Sequence, residues 1–229
     1  MLAGVVKMTA ETKTAIRIWG RLSSSNVQAV LWCLAELNLP FDRINAGYFH
    51  GVVDTPDYLA MNPNGLVPTL IDDSAPPLFE TGAILRYLAG QYAPESFWPS
   101  DPVARGQTDK WAEWAKINIA LKFTAPVFWL VVRTAPSSQN PETIAKNLKT
   151  LEKYLRIADN RLDVYQYLAG SDFTLADIQM GHCLYRYYDI AIERPHLPNL
   201  RRYYDLLSTR PAYREYVRAD YEELRVTDD

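Results

Sequence analysis

The sequence predicts an α/β domain followed by an all-α domain, and three observations carry that reading. Strand-length apolar runs occur only in the first ninety or so residues, beginning with a β-α-β unit. A breaker-rich stretch, Ala93-Pro94-Glu95-Ser96-Phe97-Trp98-Pro99-Ser100, then interrupts any periodicity. Beyond it every apolar pattern has the helical three-and-four spacing, and two of the starts pair a cap residue with proline, at Asp101-Pro102 and Asn140-Pro141. The chain therefore divides into a domain over 15–92 of order β-α-β-α-β-β-α, a linker over 93–100 and a helical domain over 101–229.

Ala15 to Trp19 is the first strand, and a helix follows with Val27, Val30, Leu31, Leu34 and Leu37 on one face. Ser25 and Gln28 fit a capping box at its start, which leaves the hydroxyl of Ser24 free at the same helix end. Phe41 to Asn45 is the second strand, so the opening unit favours a parallel pair with a right-handed crossover. Pro56 to Met61 is a short helix, Val67 to Ile71 a third strand, Leu78-Phe79 a fourth, and Thr81 to Tyr92 a helix. In the second domain the stretch after Asp101-Pro102 is one long helix broken at Pro126. The helix from Asn140-Pro141 carries Ile144, Leu148, Leu151, Leu155, Ala158 and Leu162 on one face. Thr174-Leu175-Ala176-Asp177 caps a third helix reaching to about Ile190. Asn199 to Ser208 forms a fourth, and Arg210-Pro211 sets off a last short one with Tyr213, Tyr216 and Val217.

A chain of 229 residues with a formal net charge of −3 presents no basic field for nucleic acid. No uninterrupted apolar run approaches the ~18 residues of a membrane span. The opening MLAGVVKMTAETKTA reads as a loose tail rather than a secretory signal, with Met8 an alternative start. Two cysteines far apart in apparent helices fit a reducing compartment, and the cytoplasm is the expectation. His182 and His196 have no partner at metal-ligand spacing, so no metal is expected.

Asn62 to Leu88 carries the most specific signal. Proline is admitted to a strand at its first residues, on an edge or at a bulge, so Pro68 marks a special backbone. A cis bond there, the reading adopted, turns the main-chain groups of Val67 away from the sheet. Glu80-Thr81 opens a helix whose unpaired N–H groups suit a carboxylate. Together they describe a shallow site that grips an extended, peptide-like ligand by its backbone and an acid group.

These features resemble the glutathione S-transferase family over about Ile16 to Val217. The motifs that carry the resemblance are NPNGLVPTL with Pro68, the pair Glu80-Thr81, Phe173-Thr174-Leu175-Ala176-Asp177, and Leu197-Pro198-Asn199 followed by Arg210-Pro211. It implies a thioredoxin-like first domain, a helical second domain, glutathione as co-substrate in the cytosol, detoxification and a homodimer. The serine-type members have a similar S-x-x-x-Q/R-x-V pattern, in which the matching hydroxyl is Ser24. Asn26 matches an amide near the sulfur in bacterial-type members, and Ser23 is the further alternative. No tyrosine stands in the first strand or turn, where Trp19 takes the space, and no cysteine stands in the turn. The resemblance assigns Val67 and Pro68 to backbone pairing with the cysteinyl part of glutathione, and Glu80 and Thr81 to its γ-glutamyl end. The glycine carboxylate has no clean basic match, His50 being the candidate in its loop. Trp111, Trp114, Asn118 and Arg133 are candidates for an electrophile pocket, with core packing the competing reading. Asp177 is assigned to the helix start. The function implied is activation of the glutathione thiolate for attack on an electrophile or a peroxide. A non-catalytic protein-binding module of the same fold is the alternative.

Overall fold

The computed structural model describes residues 16–73 and 75–228. The loose-tail reading, the Met8 start, Ala15 and Ser74 lie outside them. Strands β1 (Ile16–Trp19), β2 (Asp42–Ile44), β3 (Thr69–Asp72) and β4 (Leu78–Phe79) form one mixed sheet in the order β2-β1-β3-β4. The first pair is parallel, as the β-α-β reading requires, and the other two are antiparallel. Helices α1 (Ser25–Glu36), α2 (Pro56–Met61) and α3 (Thr81–Tyr92) complete this thioredoxin-like layer.

The second domain contains α4 (Pro102–Val132), α5 (Pro141–Val164), α6 (Leu175–Gly181), α7 (Leu184–Asp189), α8 (Pro198–Ser208) and α9 (Pro211–Tyr216). The anticipated caps hold here: Asp101 accepts from Ala104 N–H and Asn140 from Thr143 N–H. Thr174 and Asp177 form a reciprocal capping box. The Asp177 carboxylate also accepts from Leu168 N–H at 2.9 Å and from the Tyr203 hydroxyl at 2.7 Å, which anchors the start of α6.

Two helices differ from expectation. Pro126 does not break α4, because widened π-helical turns at Lys116–Ala120 and Thr124–Trp129 carry the chain past it. The Pro126 carbonyl accepts from Asn147 Nδ2 at 2.7 Å. The helix expected from Thr174 to Ile190 is two, α6 and α7, separated by a turn at His182-Cys183. Helix α4 is also long and apolar enough, at a mean hydropathy of 1.4, to meet the length and composition of a membrane span. Its Ala112, Ala115, Ile119, Phe123, Val127 and Phe128 are buried in the protein core, where such a helix satisfies its apolar face against α5 and α6.

Helix α1 joins the two domains. Val27 through Leu34 are buried without interruption, because α1 packs against α3 of its own domain and against α6 and α9 of the second. A Cβ on Gly181 would stand 2.8 Å from Trp32 and 2.7 Å from Leu207, so glycine is what lets α6 approach this closely. Polar contacts cross the same seam. Arg210 donates two hydrogen bonds to Glu36 at 2.7 and 2.6 Å, and Arg86 on α3 pairs with Asp109 and Glu113 on α4.

Candidate active site

The turn between β1 and α1 faces the second domain across a cleft of about 290 Å³. Its lining brings Ser23, Ser24, Ser25, Asn26, Leu66 and Val67 together with Thr124, Trp129, Arg133, Arg186 and Leu224. The expected capping box at Ser25 does not form. Ser24 occupies the cap position with an extended backbone (φ −85°, ψ 118°), and no side-chain bond caps the helix. Ser25 is instead the first helical residue. Gln28 is fully buried and turns away from the helix start to accept from Arg186 at 3.3 Å. The Ser24 hydroxyl is therefore free at a helix N-terminus, on a different basis from the one the sequence suggested.

Its neighbours are engaged. Ser23 Oγ bonds the carboxylate of Glu223, and the Ser23 carbonyl accepts from Arg186 at 2.6 Å. Asn26 Oδ1 accepts from Lys116 Nζ at 3.1 Å. Arg186 is buried and Lys116 half-buried. Burial lowers the Arg186 guanidinium to about 10 and also lowers Lys116. Arg186 lies over the rings of Phe128 and Tyr221 at 4.7 and 5.2 Å, and its Nε has no partner. Neither cation is within ion-pair distance of a carboxylate among the described residues. Positive charge at a helix N-terminus, together with a free hydroxyl, is an arrangement that stabilises an anion.

Behind the turn, His182 is buried to 1% exposure. Burial first, and then the charges of Lys116 and Arg186, push it down to about 3, so it is neutral near pH 7. Cys183 beside it is raised to about 11, chiefly by burial, and Cys33 is raised as well. Both are buried free thiols. Among the described residues no three His, Cys, Asp or Glu side chains gather as a metal site.

The Val67–Pro68 bond is cis, and β3 begins only at Thr69. Val67 N–H and C=O have no intramolecular hydrogen bond among the described residues, so both remain available at the cleft wall. The loop below is fixed by Tyr58 Oη, which donates to Leu66 O at 2.6 Å, and by Asn62 Nδ2, which donates to the same oxygen at 2.7 Å. Glu80 precedes α3 with φ +67°, a strained value for a side chain other than glycine, and its carboxylate is exposed. Its charge reaches Lys116. Thr81, the first residue of α3, is buried.

Other candidates lie elsewhere. His50 lines an adjoining hollow with Arg43, Asn45, Asp220 and Glu223, which shares Ser23 with the cleft. Trp111 packs on Trp114 at 5.3 Å and under the Arg161 guanidinium, and Asn118 donates back to Trp114 O in its own helix. None of these four lines the cleft. Of the four proposed pocket residues only Arg133 does, beside Trp129 and Thr124. The sequence pattern did not single out Lys116, Arg186 or Arg21 for the site, since a lone basic residue is usually a solvated one.

Residues 23–91 match the family model of the glutathione S-transferase N-terminal domain, and residues 122–211 that of the C-terminal domain. The chain is 36% identical over 203 residues to Glutathione S-transferase GstB of Escherichia coli K12, covering 88% of this chain and 97% of that protein. It is 32% identical over 207 residues to Glutathione S-transferase F13 of Arabidopsis thaliana, covering 87% and 93%. Among solved structures it resembles the theta class glutathione S-transferase of Xanthomonas axonopodis pv. citri with glutathione bound. That similarity has a TM-score of 0.86 and 41% identity, covering 91% of this chain and all of the other.

Proposed function

The chain belongs to the glutathione S-transferase family, and from that premise we propose that it is an enzyme whose cleft binds glutathione with the thiol at Ser24. The observation that carries the assignment is the free Ser24 hydroxyl at the start of α1, near the buried Arg186 and the half-buried Lys116, neither of which is within ion-pair distance of a carboxylate among the described residues. A free thiol with a pKa of ~8.5 is only a few per cent thiolate near neutral pH. A hydroxyl bond to the charged sulfur supplies about 1.5–3 kcal/mol, and the helix end up to ~1 more. Asn26, held by Lys116, orients toward the same turn and is its second polar group. The thiolate so held attacks an electrophile or reduces a peroxide.

The rest of the ligand follows the cleft. Val67 offers main-chain N–H and C=O to the cysteinyl part, with Pro68 shaping the turn beneath. The exposed Glu80 carboxylate receives the γ-glutamyl ammonium, and the N-terminus of α3 at Thr81 its carboxylate. His50, in the hollow that shares Ser23 with the cleft, is assigned to the glycine carboxylate on the family resemblance alone. The relatives named above are transferases and lend nothing to the non-catalytic reading. The domain limits 15–92 and 101–229, the homodimer, the cytoplasmic setting and a role in detoxification belong to the same proposal, on family grounds. The test is calorimetric titration with glutathione, followed by spectral titration of the bound thiol. Absence of binding, or a bound thiol that titrates as in free glutathione, refutes it.

A further inference from the structure

Arg21 and Arg133 are left over when the thiol and the γ-glutamyl end have been placed. Arg21 lies on the turn before Ser24 and Arg133 just beyond the end of α4, and both line the cleft. Their guanidinium carbons stand 5.4 and 5.1 Å from the centre of one ring, that of Tyr48. Arg133 also lies 4.9 Å over Trp129, a ring still 45% exposed. Neither guanidinium has a hydrogen-bond acceptor or an ion-paired carboxylate among the described residues, and Arg21 Nε is buried without a partner. Glu223, the acid whose charge reaches Arg21, is itself engaged by Ser23. The chain makes room for the pair, since a Cβ on Gly47 (φ +78°) would stand 3.3 Å from Arg21 Nη1.

Two like charges this close in a half-buried cleft repel each other and favour an anion between them. Guanidinium groups match a carboxylate in shape as well as in charge. The part of Trp129 that Arg133 leaves exposed is apolar surface that suits the body of a small molecule. We infer that the acceptor substrate is an electrophile carrying a carboxylate, with its acid on the Arg21–Arg133 pair and its apolar body on Trp129. This rests on the reading of Ser24 as the thiolate donor. For an aryl halide acid the step balances without a further reagent. The thiol proton leaves for solvent, the thiolate forms the C–S bond at the carbon bearing the halogen, and the C–halogen bond breaks with halide taking the electron pair.

The probes are the chlorodinitrobenzoate whose acid stands para to the chloride, and its methyl ester. For each, kcat/KM is divided by the uncatalysed rate constant with glutathione, which removes the difference in intrinsic reactivity. The acid is expected to exceed the ester by about tenfold or more at low salt, with the gap closing as salt rises. Arg133→Gln and Arg21→Gln should each bring the ratio close to one, and Arg133→Lys should restore part of it. Equal acceleration of acid and ester in the wild type overturns the inference. So does a ratio that survives in both glutamine variants while KM for glutathione rises, which would give the pair to the glycine carboxylate instead. Melting of each variant with glutathione separates loss of fold from loss of recognition. If calorimetry shows no glutathione bound to the wild type, the reading of Ser24 fails first. If glutathione binds and neither probe is accelerated, the acceptor inference fails alone.

Discussion

Ser24→Ala removes one oxygen from the cleft and, on the proposed reading, the hydrogen bond that holds the glutathione sulfur ionised. The hydroxyl makes no bond to its own helix, so its whole donor capacity is free for the ligand. A hydrogen bond to a charged group contributes about 1.5–3 kcal/mol, and because Ser24 is half-buried the lower end applies. At ~1.4 kcal/mol per pKa unit that is a rise of about one unit in the bound thiol. The α1 terminus, Arg186 and Lys116 remain in the variant, so the thiol should stay below the ~8.5 of a free one. The assay follows thiolate absorbance of the enzyme–glutathione complex against pH, with Ser25→Ala in parallel. Since Ser25 caps nothing, its variant should leave the titration in place. An unchanged titration in Ser24→Ala refutes the assignment, and a shift in the Ser25 variant would move the role to that residue.

Three further perturbations separate folding from binding. Glu80→Gly relieves a positive φ that costs on the order of 1–3 kcal/mol, so the melting temperature should rise while glutathione affinity falls about tenfold or more by calorimetry. Unchanged affinity would make Glu80 a helix-end residue only. His182 has its folded pKa depressed to about 3, so the unfolded chain binds the extra proton first as pH falls. Stability should therefore drop below about pH 6.5 by up to ~1.4 kcal/mol per unit from this residue, and His182→Gln should flatten that slope in denaturant titrations at stepped pH. Gly181→Ala forces a methyl into the seam between α6 and Trp32 and should cost about 1–3 kcal/mol in a thermal or denaturant melt. A neutral result there would mean that the two helices can separate freely.

Most of the fold was legible because its signals are local. Caps followed by proline mark Asp101 and Asn140, the Thr174–Asp177 box marks α6, and strand-length runs stop before Ala93. The division of α6 from α7 was not legible, since apolar spacing continues through His182-Cys183. Nor was the passage of α4 through Pro126, because a π turn leaves no periodicity of its own. At the cleft, the proline motif pointed to Val67 and the turn motif to Ser24, and both line it, although Ser24 is left uncapped for a different reason from the expected capping box. The capping pattern at Ser25 and Gln28 is local, and it lost to a contact 158 residues away, the bond from Arg186 to Gln28. Trp111, Trp114 and Asn118 share the helix that lines the cleft but not its facing side, a distinction that widened turns conceal from a simple helical count.

Arg186 shows why the serine turn cannot be understood from the first domain alone. A guanidinium buried to this depth without a carboxylate is destabilising by several kcal/mol, only partly offset by the faces of Phe128 and Tyr221 and by its bonds to Ser23 O and Gln28. Those same bonds fix the turn from across the domain seam. Glu223, near the end of the chain, takes the Ser23 hydroxyl from the other side. The residues that surround Ser24 are thus held by α7 and by the segment around Tyr221, so the turn takes this form only when the two domains are docked. Of the three consecutive serines, one is tied by its hydroxyl and its carbonyl, and one is drawn into the first turn of α1. Ser24 is left with a free hydroxyl, facing the cleft where the cation lacks its counter-charge.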